Sequence, residues 1–130
     1  MKKMILLMGV CALITTSAWA DGVFATWNMN ELAGEGVTFD ESITIAQNSV
    51  TFTSVCKYAD GVTKTANAIG SAQVTASSIT VLAQTGANSN ADANHSCQVS
   101  IQPGTMDYAV SGDTLTLTAQ GQSMSLTRAH

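Results

Sequence analysis

Few residues in this chain are able to do chemistry. Outside the first twenty positions they begin with two cysteines, Cys56 and Cys97, and two histidines, His95 and the last residue His130. A thiol with an imidazole as its base makes a nucleophile, so Cys56 with His95 is the pair to weigh for catalysis. The same two cysteines are an even pair, and in an exported chain such a pair is expected as a disulfide. A Cys56–Cys97 bond closes a loop of about 42 residues, worth roughly 4 kcal/mol by chain entropy. Glu31, Glu35, Asp40 and Glu41 form an acidic group. Paired carboxylates can cleave glycosides, but acids on a surface are more often solvated charge. Asn88, Asn90, Asp92 and Asn94 alternate like the start of a calcium loop, yet Ala93 stands where glycine is needed and Val99 where an acid is needed. There is no Gly-x-Ser-x-Gly elbow and no phosphate-binding glycine loop. Asn94-His95-Ser96 fits a glycosylation acceptor, a match discounted because the first twenty residues have the look of a bacterial signal. These residues predict no enzyme and no zinc, calcium or nucleotide cofactor.

Composition narrows the classes further. The chain has 130 residues, enough for one domain, with 5 basic and 9 acidic side chains and a net charge of −4. So little basic charge argues against nucleic acid, where affinity rests on neutralising phosphates. It argues equally against docking on an anionic membrane. Apolar residues reach 45%, which excludes a disordered chain.

Met1-Lys2-Lys3 is a short basic start. An apolar run over Met4 to Ile14 follows, then polar Thr15-Thr16-Ser17 and Ala18-Trp19-Ala20. This is the layout of a secretory signal, with cleavage expected after Ala20 and a mature domain over 21–130. The apolar run is too short to span a bilayer comfortably. Cys11 lies mid-run behind Val10 rather than behind a small residue, so no lipid anchor is expected. Losing 1–20 takes Lys2 and Lys3 away and moves the net charge to −6. The expected location is the periplasm or the exterior of a bacterium.

The elements that must position these residues are strands. Apolar and polar residues alternate with period two in short pieces. Ile43 and Ile45 share one parity, as do Val50, Phe52, Cys56 and Tyr58. Further alternating sets are Ile79 and Val81; Cys97, Val99 and Ile101; Met106, Tyr108 and Val110; Leu115 and Leu117; and Met124 and Leu126. Turn residues separate them: Ala46 to Ser49, Asp60-Gly61, Ser111-Gly112-Asp113 and Gln120-Gly121-Gln122. Lys64 to Ala76 is expected as two strands broken near Gly70. Asn30 to Gly34 is expected as one helical turn, and Gly86 to Asn94 as an exposed polar loop. The whole predicts an all-β chain, an antiparallel up-and-down barrel of about eight strands, because closure removes both exposed edges. A β-sandwich is the alternative that this patterning leaves open.

Phe24-Ala25-Thr26-Trp27 opens the first strand, Tyr108 to Leu117 carries a Gly-Asp-x-Leu-x-Leu hairpin, and Met124 to Arg128 closes the chain. Together these resemble small bacterial lipocalin-like proteins of the calycin type. The resemblance covers the two ends of the mature chain. It departs at Ala25, where that family usually has glycine, and it lacks the long helix of animal lipocalins. It implies a closed barrel with the early Trp27 beneath the late Arg128, and a site for a small apolar ligand or a protein partner. Residues such as Phe52, Val99, Tyr108 and Leu117 are the expected lining, and are equally the expected core.

The expected function is therefore that of a non-enzymatic, monomeric binding protein for a small apolar molecule. The alternative is a protein-binding module, such as a periplasmic inhibitor of a basic hydrolase, steered by its acidity. Small periplasmic lysozyme inhibitors are a looser comparison for that alternative.

Overall fold

A computed structural model of the chain describes residues 22–29 and 32–129. The expected signal over 1–20, Cys11 and His130 lie outside the described residues, as do Asn30 and Glu31.

The described residues form β1 (Thr26–Asn28), β2 (Leu32–Gly34), β3 (Val37–Ile45), β4 (Ser49–Tyr58), β5 (Thr63–Val74), β6 (Ser78–Asn88), β7 (Asn90–Ala91), β8 (Ser96–Cys97), β9 (Gly104–Ser111), β10 (Thr114–Ala119) and β11 (Gln122–Arg128). Eight of these are staves of one closed antiparallel barrel, in the order β1-β11-β10-β9-β6-β5-β4-β3. Closure is made by β1, which pairs with β11 on one side (Trp27 opposite Arg128) and with β3 on the other (Trp27 opposite Ile43). A sandwich would leave these edges open, so the barrel is the architecture. Its meander follows from short turns between strands of alternating parity.

The inward parity is the apolar one. Trp27, Ile43, Val50, Ile79 and Leu115 are fully buried, with Ile45, Leu126 and Leu117 nearly so. This one core fills the barrel and takes in Val23 from the segment before β1.

Four stretches differ from the sequence expectation. The stretch from Lys64 is a single strand, not two. Ala66, Ala68, Gly70 and Ala72 line its inner face, and the pairing with β6 shifts at Ile69/Gly70 and again at Ser71/Ala72. Gly70 marks a close approach, opposite a bulge in β6 where Thr85 is the extra residue, instead of a break. A Cβ there would meet the Ala83 carbonyl oxygen at 3.1 Å and Ile101 at 3.3 Å.

Leu32 to Gly34 is strand, where a helical turn was expected. Gly34 pairs with Val37 around the two-residue turn Glu35-Gly36, and Gly36 takes a positive φ (73°) that glycine adopts without steric cost. Gly34 therefore continues a hairpin rather than ending a helix.

The expected loop over Gly86 to Asn94 is partly strand, because β6 runs on to Asn88 and Asn90–Ala91 pairs with Ser96–Cys97. It is exposed throughout, as expected. Beyond Cys97, the alternation of Val99 and Ile101 does not mark a strand. The residues from Gln98 to Pro103 run on to β9 without ladder pairing, and Ile101 N–H is held by the Gln84 side chain at 2.9 Å.

Candidate functional site

The antiparallel order gives the barrel two ends. One gathers the β3–β4, β5–β6 and β9–β10 turns with the start of β1 and the end of β11. The other gathers the end of β1, the β4–β5 and β10–β11 turns, and the excursion between β6 and β9 that contains β7 and β8.

The first end is closed. Val23 is fully buried, and its carbonyl oxygen accepts the Trp27 indole N–H at 3.0 Å. The Arg128 guanidinium lies over the Trp27 ring, 4.4 Å from its centroid. From there it donates to the carbonyl oxygens of Gly22 (3.2 Å) and Gly112 (3.3 Å) and to the Asp113 carboxylate (3.3 Å). A planar cation with several fixed donors suits this place, because it can stack on indole while bonding outward along its edges. The first segment, the last strand and the β9–β10 turn are thus tied together by one side chain.

The second end is half covered. Cys97 on the excursion is bonded to Cys56 on β4, with Cα atoms 5.9 Å apart. Both cysteines are buried and pack with Ala66, flanked by Val37, Phe39, Tyr58 and Val99. The thiol–imidazole pair weighed for catalysis does not exist: Cys56 is in the disulfide, and His95 is engaged elsewhere. Its Nε2 lies 2.7 Å from Asp60 on the β4–β5 turn, and its Nδ1 2.9 Å from Asp92. Its ring meets Tyr58 edge to face, centroids 4.6 Å apart. The Tyr58 hydroxyl donates to the Ser96 carbonyl oxygen and accepts the Ser96 N–H at 3.0 Å. Lys64 reaches Asp92 at 3.1 Å.

With a carboxylate at each ring nitrogen, the imidazolium is favoured, and hydrogen bonds to Asp60 and then Asp92 raise the His95 pKa. The Val62 N–H and the His95 ring hold the Asp60 carboxyl below its ordinary value. The Asn94 N–H, the His95 ring and Lys64 do the same to Asp92. Both nitrogens are occupied, so neither is offered to a metal. Asp92, once weighed as part of a calcium loop, spends its oxygens on Asn94, His95 and Lys64. Sequence reasoning missed this clasp. The local signal was Asp92-x-x-His95, but Asp60 lies 35 residues from His95. Of the acidic group near the N-terminus, Asp40 forms an exposed ion pair with Lys57 at 2.9 Å.

Beside the covered half, a cavity of about 260 Å³ opens at the same end. It is lined by Met29 after β1, Phe52 on β4, Met106 on β9, Leu117 and Ala119 on β10, and Gln122, Ser123 and Met124 on β11. The strands β9 to β11 are short, and the excursion covers the long strands β4 and β5 opposite them. That difference in length leaves this side of the mouth uncovered.

The four residues expected to line a site are therefore divided. Phe52 and Leu117 meet in the cavity. Val99, on the excursion itself, packs against both the main core and the disulfide. Tyr108 reaches away to the β5–β6 turn, where its hydroxyl donates to the Thr75 carbonyl oxygen at 2.6 Å, and its partial burial raises its pKa. Met29, Met106 and Met124 take the places that Val99 and Tyr108 were expected to fill. The parity of Met106 and Met124 with their inward neighbours was the available signal.

Compared with known proteins, the chain matches no family, no curated sequence and no solved structure.

Proposed function

We propose that the protein is an exported, non-enzymatic binding protein that holds a small apolar molecule at the open end of a lipocalin-like barrel. The observation that carries this reading is the cavity at the uncovered half of the mouth, walled by Phe52, Leu117 and three methionines. Apolar walls with a few polar atoms at the rim, here Gln122 and Ser123, are the usual make-up of a small-molecule site. At about 260 Å³ the space lies below the drug-sized range of roughly 300–1,000 Å³ and above the roughly 150 Å³ that accepts benzene. The ligand is accordingly a compact one, of one or two rings or a short chain. Met124 is 49% exposed and flexible, so it suits a movable gate.

Export is supported by the signal-like first twenty residues and by a buried disulfide, which persists in oxidising compartments. No helix among the described residues is long and apolar enough to cross a membrane.

Titration with the compact two-ring apolar fluorophore 1-naphthylamine tests the reading. Saturable one-to-one binding is expected, weakened at least tenfold by Met124→Lys, which sets a charge in the mouth. Binding that does not saturate, or that Met124→Lys leaves untouched, would remove the site from this cavity.

A further inference from the structure

The chain has six methionines, three of them within its first eight residues. The other three, Met29, Met106 and Met124, all line the same cavity at the open end. Met106 lies on β9, Met124 on β11 and Met29 just past the end of β1, so they come from three places spread over nearly the whole domain. Hydrophobic packing alone does not require this: the barrel core elsewhere is built from Ile, Val, Leu, Ala and Trp, with no methionine deep within it.

The register explains how they meet. Met124 on β11 is opposite Leu117 on β10, and Leu117 is opposite Tyr108 on β9, whose inward neighbour two residues earlier is Met106. Trp27 is opposite Arg128, which sets Met29 one stave across from the inward row of β11. Ala119, the small residue at the end of β10, stands between the methionines of β9 and β11 and leaves room for their side chains.

We infer that this mouth is also a binding site for a soft monovalent metal ion, Cu(I) or Ag(I), held by the thioethers of Met29, Met106 and Met124. Thioether sulfur is neutral and polarisable, and it needs no deprotonation to act as a ligand. It selects soft ions such as Cu(I) over zinc, calcium or magnesium, which call for thiolate, imidazole or oxygen donors. The two thiols that would otherwise compete, Cys56 and Cys97, are bonded to each other, and both nitrogens of His95 face carboxylates. Glu41 has the inward parity of Ile43 and Ile45, and its carbonyl oxygen accepts the Met29 N–H at 2.9 Å. That places a carboxylate-bearing residue on the stave beside Met29. The metal reading does not rest on the apolar-ligand reading, since the ion needs the sulfurs and not the aromatic wall.

Two measurements on the purified disulfide-bonded protein test the inference. In the first, the protein competes for Cu(I) with the chromophoric chelator bicinchoninate under anaerobic ascorbate. Withdrawal of one equivalent of Cu(I) is expected, with none of zinc in a parallel titration. The variant carrying Met29→Leu, Met106→Leu and Met124→Leu keeps side-chain volume nearly constant, and is expected to lose affinity at least a hundredfold. In the second, methyl-labelled methionine is followed by NMR as Ag(I), which needs no reductant, is added. The methyl signals of Met29, Met106 and Met124 are expected to shift together and saturate at one equivalent. This measurement decides the matter if the triple variant does not fold. Failure of the protein to draw Cu(I) from the chelator, unchanged affinity in a folded triple variant, or methyl signals that Ag(I) leaves in place would each overturn the inference. Naphthylamine binding to metal-free protein is scored separately, so either reading can fail without the other.

Discussion

The two ends of this barrel are made from the same kind of strand and do opposite things. At the closed end, Trp27 is fully buried, its one polar atom is satisfied by Val23, and Arg128 seals the stack with donors to Gly22, Gly112 and Asp113. At the open end, an excursion is pinned by a disulfide over one half of the mouth, and the other half is lined with methionine. The closed end uses a rigid indole and a planar guanidinium, each with few conformations once its partners are set. The open end uses thioethers on flexible stems. The difference teaches where the fold is fixed and where it is adaptable: fixed geometry collects where first and last strands meet, adaptable surface where the strands are unequal in length.

Breaking the closed end has the largest expected effect. Trp27→Ala removes the largest buried side chain and leaves a cavity with no neighbour to fill it. A loss of about 3–5 kcal/mol is expected, measured by chemical unfolding followed by circular dichroism. A loss smaller than that of the cysteine variant described next would reverse the ranking of the two ends.

Replacing Cys56 and Cys97 together by alanine comes second, at about 2–4 kcal/mol. Hydrogen exchange should show where the loss falls. Faster exchange is expected in the 88–103 excursion, with β10 and β11 retaining protection relative to global unfolding. Uniform loosening of the whole barrel would mean that the staple supports both ends.

Arg128→Ala is third. The stacked cation and its hydrogen bonds are part exposed, so a cost of about 1–2 kcal/mol is expected, with a red shift of Trp27 emission. Arg128→Lys should fall between, because lysine keeps the charge and loses the planar fork. Emission unchanged in Arg128→Ala would show that the guanidinium does not shield the indole.

The smallest effect is on the clasp at the open end. His95 titrates above its ordinary 6.5 in the folded protein, so its contribution is fully present below pH 6.5 and fades as pH rises through the raised folded value. Asp60 and Asp92 titrate below their ordinary 3.8, so theirs is present above pH 3.8 and fades as pH falls through the lowered values. The clasp is therefore tightest between about pH 3.8 and 6.5. Amide protection across Asp92 to Ser96 should weaken above that window, after correction for intrinsic rates, and His95→Asn should abolish the dependence while leaving the closed end unchanged.

Much of this frame is legible in the sequence, and the reason is parity. Ile43, Val50, Phe52, Leu115 and Leu126 alternate with Thr and Ser, so their strands and their inward faces can be read directly. Asp60-Gly61, Gly112-Asp113 and Gln120-Gly121 mark the hairpins. Parity also places Trp27 and Arg128 inward at the meeting of first and last strands. Where parity is weak, the reading fails. The inner face of β5 is Ala66, Ala68, Gly70 and Ala72, whose small side chains look as much like a helix or a break as a strand. Gly34 carries no side chain to show which way it faces. The clasp was illegible for another reason: Asp60, Lys64, Asp92 and His95 meet through the disulfide-held excursion, and no local period links them. The methionine mouth lay between these cases. The inward parity of Met106 and Met124 was visible, but not that β9 and β11 bring them to one rim.

The Arg128 bond to Gly22 joins residues 106 apart. The seam of the barrel is thus a contact that a growing chain reaches last. Until β11 has formed, β1 and β10 each present a bare edge, and every earlier hairpin can assemble without committing the whole. Closing so long a loop is entropically costly and slow compared with local pairing. The seam is therefore expected to form after the hairpins whose edges it joins.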